Sequence, residues 1–203
     1  MRAEISKSKD KYLEEIFKYL KIYFNLPKEE WNWETFFVDL ENLIFESLEK
    51  TYSITAKWVK TLYDIDFKEV IDKETLEDLT YSEDGKSLEE RIKKHYDVAI
   101  GRINVKDYLY NRIVLIMDTE TLYASNHIIH GKLKKYATHV EVINFDEECC
   151  DGHPDCEHWL KQGKIPIEEL KELPPYHPDC ECEVIYYIEE EAKADLTETL
   201  SNI

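Results

Sequence analysis

No cysteine occurs before Cys149 or after Cys182 in this chain of 203 residues. A disulfide framework spread through the fold is thereby disfavoured, and the odd count of 5 cysteines points the same way. Long apolar runs are also missing. Ile113 to Met117 falls far short of the ~20 residues that a membrane span needs, and the opening MRAEISKSKDK lacks the apolar stretch of a signal peptide. The expectation is a soluble, intracellular chain with no membrane partner. Positive charge is scarce: 26 Lys and Arg stand against 44 Asp and Glu, a formal net charge of -18. Nucleic-acid binding draws its affinity from cations that neutralise phosphates, so a general DNA binder is disfavoured. The compact basic runs, Arg91 to Lys94 and Lys132 to Lys135, read as solvated helix faces. Such a charge suits a basic protein partner instead.

What is present is concentrated. All the cysteines and three of the 7 histidines lie between Cys149 and Cys182, and His-Pro-Asp-Cys occurs twice, at His153 to Cys156 and at His177 to Cys180. Two short turns that each offer a nitrogen and a sulfur match the needs of a tetrahedral zinc ion. The first choice of ligands is Cys150, Cys156, His177 and Cys180, with Cys149, His153 and Cys182 as substitutes. Not every thiol is expected to reach the ion, because Cys149 and Cys150 are adjacent and Cys180 and Cys182 are one residue apart. Two signatures of catalytic zinc are absent: a His-Glu-x-x-His helix, and a His-x-Glu followed by Pro-Cys-x-x-Cys. The metal is therefore read as structural and the chain as non-enzymatic.

Hydrophobic residues at 43 % and aromatics at 12 % supply enough apolar surface for a folded core. Helical spacing predicts a first helix from Lys9 to Phe24, ended by Asn25-Leu26-Pro27, and a second from about Trp33 carrying Phe36, Phe37, Leu40, Ile44 and Leu48. A separate helical segment is predicted from Thr55 to Tyr63, and a short one around Lys73 to Leu79. Trp31 and Trp33 are read as packing anchors. Asp84-Gly85 marks a turn, and Ser87-Leu88-Glu89-Glu90 fits a capping box that starts a helix at Leu88 and carries it to about Ile103. Val105 to Tyr136 reads as one long helix. Val140 to Ile143 and Glu183 to Ile188 alternate like strands and bracket the cysteine turns. A short helix is expected between the turns, over Ile167 to Leu173. The fold class is α+β, mainly α: an N-terminal helical part followed by a small zinc-binding β module. The divisions are 1–80 for docking, 81–137 helical, 138–190 zinc-binding and 191–203 an acidic tail.

Three stretches together resemble the phage minor head proteins, also called head morphogenesis proteins of the Mu gpF type. They are Asp84 to Ile92, similar to Asp-Gly-x-[Ser/Thr]-Leu-x-x-Arg-Ile; Ile116 to Asn126, similar to a helix with Arg-Thr-Glu-Thr-x-x-x-x-Asn; and Pro174 to Cys182, similar to Pro-Pro-x-His-Pro-x-Cys-Arg-Cys. Asp118 and Glu181 stand where the family has arginine, and Cys149, Cys150 and Cys156 replace its Cys-x-x-Cys. The resemblance spans roughly residues 80 to 190. It implies a virion structural protein of the capsid's portal vertex, needed for head assembly or infectivity. Portal protein and capsid or scaffold proteins would be its partners, and DNA stays open only through the resemblance. Arg91, Thr119, Glu120, Thr121 and Asn126 are expected to form an interhelical polar network, with Arg91 paired to Glu120. Two other readings compete: a metal-dependent hydrolase or nuclease, and a cellular zinc-ribbon adaptor.

Overall fold

The computed structural model describes residues 1–63, 75, 80–81, 86–144, 152–178 and 180–188. The tail after Ile188, the segment around Lys73 to Leu79 except Thr75, the Asp84-Gly85 turn, and Cys149 and Cys150 lie outside the described residues.

Helix α1 runs Arg2–Tyr23, about two turns earlier than the apolar spacing predicts. The polar run Ser6 to Asp10 hides those turns from a periodicity argument, yet Ile5 is buried, Arg2 pairs with Glu183, and Lys9 pairs with Asp118. Tertiary partners extend the helix where propensity alone gives no reason to. After a 3-10 turn at Lys28–Glu30, helix α2 runs Trp33–Tyr63 without a break. The expected division before Thr55 is therefore wrong. Ser47, Thr51 and Thr55 look like a polar interruption in the sequence. At a spacing of four they form one buried stripe, and the Thr51 hydroxyl donates back to the Ser47 carbonyl at 3.0 Å.

Helix α3, Leu88–Ala99, begins with the capping box. The Glu90 amide donates to Ser87 Oγ at 3.2 Å, and the Ser87 amide donates to Glu90 Oε2 at 2.9 Å. It ends four residues before the expected Ile103. Helix α4, Val105–Leu133, lies antiparallel to α1, as the contacts of Phe17 with Tyr110 (4.8 Å) and of Lys9 with Asp118 require. Where α1 turns into α2, Trp31 sets its ring edge-on to Phe24 at 4.9 Å and Trp33 lies 5.1 Å from Tyr96. Both tryptophans thus pack against the core.

A three-stranded antiparallel sheet follows, in the order β2-β1-β3. Strand β1 is Ala137–Asn144, β2 is Lys164–Pro166 and β3 is Cys182–Ile188. Strand β2 was not expected; its three residues are too few to show alternation. Register pairs Val142 with Val184, Val140 with Tyr186 and Asn144 with Cys182. Alternation puts Cys182, Val184 and Tyr186 on the buried face, against α4. The helix between the cysteine turns is also displaced. Helix α5 is Pro154–Gln162, whereas Ile167–Glu169 is a single 3-10 turn. Pro154 suits a helix start, since its missing N–H would have had no helical acceptor there. Buried residues from Leu13 to Tyr186 form one continuous cluster, so helices and sheet share a core.

Candidate metal centre

The two His-Pro-Asp-Cys copies fold differently and meet. In the first, His153 precedes α5 in extended conformation and Cys156 falls inside the helix, fully buried. In the second, His177 and Pro178 make a turn that the Cys180 amide closes onto the His177 carbonyl at 3.2 Å. The chain then enters β3 at Cys182. Cys180 and Cys182 are both buried, because residues two apart in extended chain face the same side.

The donor atoms form two triads that share Cys156: Cys156 with Cys180 and Cys182, and Cys156 with His153 and His177. Within each triad all donors lie within 4.8 Å of one another. The sulfurs of Cys156 and Cys180 are 3.7 Å apart. A disulfide would need about 2.05 Å. Two thiolates bound tetrahedrally at about 2.3 Å from one zinc ion would lie about 3.8 Å apart. The spacing fits shared metal ligation and excludes a bond between them.

The imidazoles are poised in the same sense. His177 Nδ1 lies 2.7 Å from the Pro178 carbonyl, which can only accept, so Nδ1 is the donor there and Nε2 is the atom left to face the cluster. That Nε2 is buried without a hydrogen-bond partner among the described residues, as is His153 Nδ1. The two rings are 4.0 Å apart. The Cys180 thiol is brought down to about 5, first by a hydrogen bond from the Cys182 side chain, then by the amides of Cys182 and Tyr176 and the nearby His177, with burial opposing. A shift in that direction favours the thiolate, the form that binds metal.

Of the expected ligands, Cys156, His177 and Cys180 are thus brought together, and the substitutes His153 and Cys182 join them. Cys180 and its substitute Cys182 both lie in the cluster. Cys149 and Cys150 cannot be placed, being outside the described residues.

Among the described residues, the hydrogen bonds of α4's polar residues run to several different elements. Glu120, fully buried, accepts from Arg91 through Oε1 and from the Tyr81 amide through Oε2 at 2.8 Å. Burial raises the Glu120 carboxyl above its ordinary range, and Arg91 opposes that shift. Thr119 turns back to the Leu115 carbonyl at 2.9 Å, and the Thr121 hydroxyl is buried with no partner among the described residues. Asn126 works elsewhere: its amide donates to the carbonyls of Pro174 at 3.1 Å and Cys182 at 3.4 Å. Successive helical residues point about 100° apart, so neighbours in sequence meet different elements. Asn126 therefore ties α4 to the loop that carries His177, Cys180 and Cys182.

Beside that loop is a cleft of about 520 Å³ lined by Tyr81, Tyr123, His127, His130, Pro175 and Tyr176, among others. Burial, and then the neighbouring His130, lower His127 to about 4. The unfolded chain would protonate near 6.5, so between those values it binds more protons than the folded one, and stability falls as pH drops through that window. Replacing His127 by Gln should make urea-measured stability fall less steeply between pH 6.5 and pH 4. The expected difference is on the order of 1 kcal/mol once solvent screening is allowed for. Equal slopes for both proteins would refute it.

No protein-family model, no curated protein and no solved structure matches this chain. The resemblance to phage minor head proteins therefore rests on its motifs.

Proposed function

We propose that this chain is a non-enzymatic phage minor head protein whose C-terminal sheet is pinned by a structural zinc ion. Cys156, Cys180, Cys182 and His177 would hold the ion, with His153 as the alternative imidazole. A set of thiolates and imidazole in a closed, buried site suits zinc in its structural role. The ion would supply folding free energy by joining α5 to the loop before β3. The observation that carries the reading is the bond from Asn126 to Pro174 and Cys182. It joins the helix of the second family-like motif to the loop of the third, so that stretches matched independently in sequence act on one structure.

Docking is assigned to α2, whose outward side presents Glu34, Asp39, Glu46 and Glu49 with Val38 exposed among them. An acidic face of this kind fits a basic surface on the portal protein. Deleting the helices would be uninformative, because α1 and α2 supply much of the core. Charge reversal of Glu34, Glu46 and Glu49 to lysine changes exposed positions outside the core cluster. Co-expressed with a phage portal protein, the wild-type chain should co-purify, and the reversed one should lose at least tenfold in yield. Equal recovery would remove the docking surface; no recovery of either would remove the portal partner.

A further inference from the structure

We propose that the cluster binds two zinc ions that share the Cys156 sulfur: Cys156 with Cys180 and Cys182 holds one, and Cys156 with His153 and His177 holds the other. The inference deepens the metal-centre reading above and rests on it. Among the described residues the donors fall into two triads, and Cys156 is the one member common to both. A single four-coordinate ion held by the three sulfurs has room for one imidazole. The second imidazole would then keep a buried nitrogen without a hydrogen-bond partner, the condition of both His153 Nδ1 and His177 Nε2 among the described residues. Native interiors rarely leave such an atom unpaired. With an ion in each triad, all five donors are used.

The backbone supports this division. Cys156 sits in the first turn of α5, fully buried, and His153 is the residue just before that helix. His177 stands in the turn that the Cys180 amide closes, with Nδ1 committed to the Pro178 carbonyl. The two imidazole rings are 4.0 Å apart and form a pair of their own, as Cys180 and Cys182 do where the chain enters β3. On the sulfur side, Cys156 and Cys180 are 3.7 Å apart, close to the separation of about 3.8 Å that one tetrahedral zinc ion imposes on two thiolates. That the shared member is a cysteine is chemically apt. A thiolate sulfur keeps lone pairs after binding one ion and can give another to a second, which an imidazole nitrogen cannot do. Each triad supplies three of the four ligands that zinc takes, and the fourth position of each ion falls to a donor outside the triad.

The test counts ions on the full chain under reducing conditions, using zinc and cobalt(II) as probes. Wild type equilibrated with excess zinc and then desalted should retain two ions per chain by elemental analysis, taken up in two steps in native mass spectrometry. The first equivalent of cobalt(II) should raise a thiolate charge-transfer band and a paramagnetic resonance signal. The second should diminish that signal, because two ions on one sulfur couple antiferromagnetically. Replacing His153 and His177 together by alanine should lower the count from two to one and keep the charge-transfer band, since the sulfur triad remains. One ion per chain in wild type would overturn the proposal and leave the single-ion centre standing. Two ions whose resonance signals simply add would overturn the shared sulfur. So would a double-histidine variant that keeps its far-ultraviolet spectrum and retains two ions or none. Wild type that binds neither zinc nor cobalt would instead bring down the metal-centre reading itself.

Discussion

Replacing Cys156 by serine is expected to abolish tight metal binding and to free the C-terminal sheet from α5. Cys156 belongs to both donor triads and is their only member on α5 apart from His153 at its cap. Structural zinc contributes on the order of 10 kcal/mol of binding free energy in small metal-bound domains. That compares with about 5–15 kcal/mol for the whole stability of an ordinary domain. The loss is expected to be local first. Amides of the β1–β3 ladder near Asn144 and Cys182, and those of α5, should exchange hydrogen orders of magnitude faster, while α1, α2 and α4 keep most of their protection. Far-ultraviolet ellipticity at 222 nm should change little, and a chelator added to the wild type should reproduce the exchange pattern. If Cys156→Ser and chelated wild type both retain native protection at Cys182, the centre does not hold the sheet.

Replacing Arg91 by alanine should lower stability by about 3–5 kcal/mol, the usual cost of leaving one partner of a buried ion pair alone. Both side chains are almost wholly enclosed, at 6 % and 0 % exposure, so water cannot take the place of the lost guanidinium. Urea unfolding followed by tryptophan fluorescence measures this directly. The paired change Arg91→Met with Glu120→Leu should recover part of the loss, because no charge is then stranded. Recovery should be incomplete, since the Tyr81 amide would lose its acceptor at Glu120 Oε2. A double variant less stable than Arg91→Ala would show that the carboxylate is worth more to Tyr81 than to Arg91.

The same residues show where reading the sequence succeeded. The capping box at Ser87 and Glu90 is local chemistry confined to four residues, and it stands as expected. The β1 and β3 strands were legible because Val140 to Ile143 and Glu183 to Ile188 are rich in β-branched and aromatic residues that alternate with a period of two. The join between Thr55 and the rest of α2 was not, because hydroxyl side chains read as polar in a window but pack as small in a core. Asn126 was singled out for the wrong task. Its place on α4 was visible, but its acceptors lie 48 and 56 residues away, beyond any periodicity argument.

By itself the sequence determined that every cysteine lies in the stretch from Cys149 to Cys182, together with three of the 7 histidines, that helices dominate before it, and that strands bracket it. Those are matters of composition and local period, which each segment carries whatever it packs against. Only the tertiary structure decided which sulfurs and nitrogens meet and that Cys182 faces inward with Cys180. Ligand choice depends on the rotation of α5 against β3 and on the register of β3 with β1. Both are fixed by the shared core, to which residues far from the centre contribute.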